Sequence, residues 1–186
     1  AVILALLVLA DMWSVDKRYL NDSHFVTQRE FKGAFAKRAV DEIILQDTDP
    51  HYRVLDLSVN TFNDAYTSYH HKTIGGYSPA KLQRYQDLIE RNISTEIRAF
   101  SSQMGNVQTI EDAQNAMVYL PVLSMLNTKY IILGASVPPV ENTFRLGNAW
   151  FVNEIVPVNN ANEEIETLKV VNPAFQAVVS ADFIQQ

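Results

Sequence analysis

The stretch SPAKLQRYQDLIERNISTEI, residues 78–97, decides how this chain folds. Ser78 suits a helix N-cap, because its hydroxyl accepts a hydrogen bond from an otherwise orphaned backbone N–H. Pro79 suits the first helical position, where its missing N–H costs nothing. Leu82, Tyr85, Leu88, Ile89, Ile93 and Ile97 then recur at three- and four-residue spacing and form one apolar stripe. Asp87 and Arg91 stand four apart on the polar side, where an ion pair adds a few tenths of a kcal/mol. A helix with one apolar stripe needs a surface to bury it against.

Strand-like runs on either side supply that surface. Residues 52–58 carry Val54, Leu55 and Leu57 between turn signals. Residues 130–133 read as a buried strand, and residues 149–158 as the longest strand, with Pro157 directing its end to a sheet edge. The expectation is a mixed α/β (α+β) fold. Its small mixed sheet includes residues 52–58, 130–133 and 149–156, with helix 78–97 packed on it through Leu82, Tyr85, Ile89 and Ile93.

Farther out, residues 39–46 have helical spacing at Val40, Ile43 and Ile44, ended by Asp49-Pro50. Residues 60–77 read as a structured loop. A second helical pattern covers residues 110–127 and is interrupted near Pro121. Residues 134–146, with Pro138-Pro139, read as a loop. Asn160 followed by Glu163 opens a short helix, Asn172-Pro173 stops it, and residues 177–179 form a last strand. Residues 11–30 read as an extended lead-in. No internal repeat, low-complexity tract or linker divides the chain.

The 186 residues fit one domain, and 47% of them are hydrophobic, enough for a core without staples. The 15 Lys and Arg are scattered among 21 Asp and Glu, for a net charge of −6. A phosphate-backbone binder needs clustered cations, so nucleic acid is not an expected partner. The absence of cysteine excludes disulfides, thiolate nucleophiles and cysteine-based zinc sites. It does not place the compartment.

Residues 1–10 are uniformly apolar, about half of what a spanning helix needs. Three readings stand: a buried core element, the end of a transmembrane helix, or part of a signal peptide. Trp13 follows where an interfacial aromatic would sit. Lys17 and Arg18 weakly oppose an outward exit by the positive-inside rule. If it is the end of a spanning helix, the segment is expected to pack against the domain or against a second copy of the chain, because its apolar side chains cannot stay in water. Residues 11–186 then form a single soluble α/β domain.

Sequence signals for chemistry are sparse. No G-x-S-x-G elbow, H-E-x-x-H helix or Walker loop occurs. Gly75-Gly76 lacks the third glycine of a phosphate fingerprint and reads as a tight turn. Asp47-Thr48-Asp49 begins like a calcium loop, but His51 takes the next ligand position and no glycine follows. His70 and His71 are adjacent, so on a regular backbone they diverge, which disfavours a shared metal. Tyr66, Tyr69, His70, His71, Lys72 and Tyr77 form the candidate binding surface, where aromatic faces and polar donors suit a sugar or a peptide. Tyrosines packing over a loop are the commoner explanation. Glu111-Asp112 and Glu163-Glu164 lie at helix starts and complement the dipole. No catalytic residue, metal ligand or cofactor is assigned.

Three segments in order resemble the YfhO family of bacterial polytopic membrane proteins. They are Gly75-Gly76-Tyr77-Ser78-Pro79 leading into Leu82 and Tyr85; Leu123-Ser124-Met125-Leu126-Asn127-Thr128-Lys129-Tyr130-Ile131-Ile132; and Leu146-Gly147-Asn148-Ala149-Trp150-Phe151-Val152, followed by the 160–168 helix and Asn172-Pro173. Together they span roughly residues 11–179. Asp16-Lys17-Arg18-Tyr19-Leu20-Asn21 is similar to versions from the Bacteroidetes. Asn172 stands where relatives often have aspartate.

The resemblance implies a parent with many membrane spans, related to lipid-linked sugar transferases of the GT-C type. In such proteins the catalytic acid lies in a loop between early membrane helices. No position here matches it, so no catalytic residue carries over. The implied role is a non-catalytic accessory domain on the periplasmic side of the bacterial inner membrane. Its implied partners are the membrane portion of the same polypeptide and a glycan or lipid-linked sugar. A stand-alone periplasmic ligand-binding or interaction module and a hydrolase with an unrecognised site are the alternatives.

Overall fold

A computed structural model describes residues 2–105 and 107–184. The chain divides into two compact units, Ala1–Ala36 and Lys37–Gln186.

The first unit is helical. Helix α1 spans Val2–Tyr19 and α2 spans Gln28–Ala34, with a 3₁₀ turn at Asp22–His24 between them. The lead-in expected to be extended is therefore mostly helix. The signal was present as Thr27-x-x-Glu30, a capping box. The Thr27 hydroxyl accepts the Glu30 N–H at 3.2 Å and the Glu30 carboxylate accepts the Thr27 N–H at 2.8 Å. No side chain of α1 or α2 is buried. Residues 2–10 expose their apolar side chains, Leu4 by 68%. No described helix is long and apolar enough to cross a membrane.

The second unit holds the core. Helix α3 (Ala39–Ile44) precedes strand β1 (Arg53–Asp56). Helix α4 (Gln83–Leu88) continues through a π-helical turn, Ile89–Ile93, into α5 (Ser94–Met104). Helix α6 (Ile110–Asn115), a 3₁₀ turn (Ala116–Tyr119) and α7 (Pro121–Met125) lead to β2 (Thr128–Ile132) and β3 (Val140–Glu141). A second module follows: β4 (Glu154–Val158), α8 (Ala161–Thr167), β5 (Gln176–Ser180) and the short α9 (Ala181–Ile184).

Strand β2 lies between β1, to which it is parallel, and β3, to which it is antiparallel. Alternation along the strands feeds two cores. Leu55 and Ile131 face a large cluster with Ile89, Ile93, Phe100, Met117, Leu120 and Leu123. Val54 and Ile132 face a smaller one with Val40 and Ile44 of α3. The expected mixed α/β fold with helices on a small mixed sheet is thus found, with β2 at the centre of its three-stranded sheet.

Three expectations need correction. The helix starts at Gln83, not Ser78, because the residues around Pro79 form a turn; proline's fixed φ serves a turn as well as a first helical position. Leu82 consequently sits before the helix and is 76% exposed, while Ile89 and Ile93 are buried and Tyr85 packs at the core's edge. Arg91 pairs with Glu166 at 3.1 Å rather than with Asp87, which accepts a hydrogen bond from Gln83. The third sheet partner is also different. Val140–Glu141, inside the expected loop 134–146, takes that place, and β4 pairs with β5 in a separate parallel sheet. Trp150 donates to the Pro173 carbonyl at 2.8 Å, and the Asn153 and Glu154 N–H groups reach the Phe175 carbonyl. These bonds hold the 150s strand against the 173–176 turn.

Helix α7 is capped from another element. The buried Glu96 carboxylate of α5 accepts the N–H groups of Val122 at 2.7 Å and Leu123 at 3.0 Å. Burial pushes this carboxyl up, to about 7, although both backbone donors pull it down. The folded state therefore favours the neutral form. The resulting stabilisation is fully present below the unfolded value of 4.5 and is lost as pH rises through about 7. Unfolding free energy measured by urea titration should fall with pH across this window in the parent protein. That component of the slope should vanish in Glu96→Gln.

Candidate functional site

The segment carrying the candidate binding residues wraps the carboxyl end of β1. Val54 donates to the Lys72 carbonyl and the Ile74 N–H to the Val54 carbonyl, so residue 73 bridges to the sheet edge. Gly75 then passes the Thr61 backbone so closely that a Cβ there would lie 1.8 Å from the Thr61 oxygen. Gly76, at φ 105°, donates to the same oxygen at 2.7 Å. The glycine pair is thus a turn with a close backbone approach. Gly75→Ala should destabilise by about 1–3 kcal/mol through forced displacement, read as a lower urea midpoint.

Beneath this loop lies a polar network the sequence reading did not single out. Arg38, just before α3, grips Asp41 with two bonds of 2.9 Å and reaches Asp56 at 2.8 Å and Ser58 at 2.9 Å. Its guanidinium also lies 4.6 Å from the Tyr66 ring centroid. Asp41 further accepts the Arg38 N–H at 2.8 Å and the Tyr66 hydroxyl at 3.3 Å, and lies 3.0 Å from His71 Nε2. Asp56 accepts Thr67, the Ser58 N–H and the Ser58 hydroxyl. Both carboxylates and His71 are buried.

The electrostatics follow from these bonds. Burial pushes Asp41 up, but the hydrogen bonds from Arg38 and His71 outweigh it and hold the carboxyl well below the ordinary range. Asp56 is likewise lowered: burial opposes, and bonds from Ser58, Arg38 and Thr67 prevail. Burial lowers His71 despite the adjacent Asp41, so its imidazole is neutral at neutral pH. An ionised carboxylate only accepts, which places the His71 proton on Nε2. This Asp–His pair has the look of a catalytic dyad. The nearby hydroxyls of Tyr66 and Thr67 are committed to carboxylates, and every carboxylate oxygen is engaged. The arrangement ties α3, β1 and the 66–69 turn together.

On the adjacent side of the loop, Asp47 accepts Lys129 and, at 2.8 Å, the Tyr130 hydroxyl. The Lys129 bond holds Asp47 down to about 2. Lys129 also lies 5.4 Å from the ring centroids of both Tyr52 and Tyr130. Asp47, Asp49, Tyr52, His70, His71 and Lys72 border a cavity of about 220 Å³. Of the expected binding residues, this cavity brings together His70, His71 and Lys72. Tyr66 packs against Arg38 and His70 instead. Tyr69 and Tyr77 are exposed and do not border it. Lys72 donates to the Pro50 carbonyl at 2.6 Å. Among the described residues no group of three His, Asp or Glu side chains is arranged to hold a metal ion.

Sequence reading missed Arg38, Asp41 and Asp56. The Arg38–Asp41 spacing was visible as a helix start, but Asp56 read only as a strand end. No protein-family model, curated protein or solved structure matches the chain.

Proposed function

We propose that this chain is a non-catalytic extracytoplasmic accessory domain of a polytopic membrane protein resembling lipid-linked sugar glycosyltransferases. It assists acceptor binding or stabilises the membrane portion of the same polypeptide at the bacterial inner membrane. The observation that carries the reading is α1. Its apolar residues 2–10 are exposed, Trp13 follows with Lys17 5.6 Å from its ring, and Arg18 comes next. Such a helix finds its solvent in a bilayer rather than in water. The engagement of the Asp41–His71 pair in the fold agrees with a supporting role.

A stand-alone periplasmic ligand-binding module is the second reading, favoured by the His70–Lys72 cavity. Expression of the gene that encodes this chain, with fractionation and protease protection in spheroplasts, separates them. The first reading expects residues 37–186 in the membrane fraction and cleavable from outside. Release into the periplasm after signal cleavage would support the second, and retention in the cytosol would refute both.

A further inference from the structure

We propose that the outer edge of β5 pairs antiparallel with the same strand of a second copy of this chain, joining two β4–β5 sheets into one sheet of four strands. This interface is separate from the segment 66–77, and it does not rest on the membrane reading.

The module β4–α8–β5 forms a sheet of only two strands, and they are parallel. Sheets this small gain stability from a third strand. The register identifies the backbone groups left unused. The Glu154 N–H donates to the Phe175 carbonyl at 3.1 Å, and Glu154 stands level with Gln176. Bonding residues alternate along a parallel ladder. Residues 154, 156 and 158 of β4 therefore turn their backbone groups toward β5, and Ala177 and Val179 of β5 turn theirs toward β4. Gln176, Val178 and Ser180 turn theirs away. The Gln176 N–H donates to the Asn172 carbonyl at 2.9 Å. Among the described residues, no bond from outside the β4 ladder reaches the N–H of Val178 or Ser180, or the carbonyl of Gln176 or Val178.

The two edges of this sheet differ in chemistry. On β4 the residues turned outward are Ile155 and Pro157, and proline has no N–H to offer an incoming strand. The β5 edge, Gln176-Ala177-Val178-Val179-Ser180, holds neither proline nor charge. Turned about a two-fold axis at Val178, it complements itself. Val178 exchanges two hydrogen bonds with the partner's Val178. Each Ser180 N–H meets the carbonyl of the partner's Gln176. Every one of the unused groups named above is then paired. Ala177 stands opposite the partner's Val179, so no like charges meet across the axis. Phe175 and Phe183 are exposed just beyond opposite ends of β5, and antiparallel pairing brings those ends together.

The test uses the full chain in dodecyl maltoside, which shields α1 from associating by itself. Amide hydrogen exchange is followed by nuclear magnetic resonance at rising protein concentration. Val178 and Ser180 should exchange freely in dilute solution and slow about tenfold or more as the dimer forms. Ala177 and Val179, which face β4, should be protected throughout. Val178→Pro removes an outward N–H and leaves the β4 ladder intact, so it should keep the melting temperature. In that variant the concentration dependence at Ser180 should disappear. Cross-linking checks the register, because the chain has no cysteine of its own. Ala177→Cys and Val179→Cys chains, mixed and oxidised with copper phenanthroline, should give a disulfide-linked dimer that neither gives alone. If Val178→Pro does not fold, the cross-link decides. Free exchange at every concentration would leave the edge to a strand of another protein and overturn the proposal. Protection that is independent of concentration would mean a cover from within the chain and would overturn it equally. Failure of the mixed chains to cross-link would do the same.

Discussion

Replacing Asp41 with alanine should lower the unfolding free energy of the Lys37–Gln186 unit by about 3–5 kcal/mol, the cost of breaking a buried ion pair from one side. The carboxylate is fully buried and accepts from Arg38, Tyr66 and His71. Without it, Arg38 keeps Asp56, Ser58 and the Tyr66 ring, and His71 loses its acceptor in the interior. Domain stabilities are about 5–15 kcal/mol, so the variant approaches the threshold of folding at ambient temperature. Urea unfolding followed by circular dichroism measures the change. A loss below about 1 kcal/mol would show that the network is not coupled to the fold. The pH dependence carries the opposite sign to that of Glu96. Asp41 and Asp56 are held below their ordinary value of 3.8, so their contribution is present above it and is lost as pH falls below it, through their lowered folded-state values. In Asp41→Ala the acid-side loss should shrink, while the decline on approaching neutral pH, attributed to Glu96, remains.

The second large effect concerns α1. Val2, Ile3, Leu4, Leu6, Leu7, Val8 and Leu9 are all exposed. Moving them into an apolar phase is worth on the order of 10 kcal/mol, at roughly 1.5–3 kcal/mol for each large side chain. The chain should therefore float with phospholipid vesicles on a density gradient. Leu4→Asp and Leu7→Asp together should abolish flotation, since each aspartate costs about 2.5–3.5 kcal/mol at the centre of a membrane helix. Removing residues 1–10 should leave the melting transition of the second unit within about 1 kcal/mol of the parent. Both hydrophobic clusters of the second unit are built from its own residues, from Val40 onward. Flotation of the double-aspartate variant would locate the membrane contact elsewhere. Loss of the melting transition on truncation would make the segment part of the core.

Much of the architecture was legible because periodicity reports burial directly. The stripe through Ile89 and Ile93, the runs Val54-Leu55 and Ile131-Ile132, the break at Pro121 and the Asn160 cap all reflect local rules. Errors arose where one local signal serves two structures. Ser78-Pro79 fits both a helix start and a turn, and the choice is made by what surrounds it. Tyr85 hydrogen-bonds the Ile74 carbonyl at 2.6 Å from a helix that begins one turn later. Thr27-x-x-Glu30 caps α2 although no apolar stripe follows it to mark a helix by periodicity.

The sequence alone determined most of the local elements, the acidic and cysteine-free character of the chain, and the position of its apolar stretch. These depend on side-chain chemistry and on neighbours within a few positions. Only the tertiary structure decided that Arg38, Asp41, Asp56 and His71 meet, that Glu96 caps α7, and that β4 leaves the main sheet for β5. Those partners lie up to 30 positions apart along the chain, as for Asp41 and His71. No local rule links such positions. What brings them together is the burial of two sheet faces at once: a charge that cannot stay in water must then find its partner among whatever side chains share the interior.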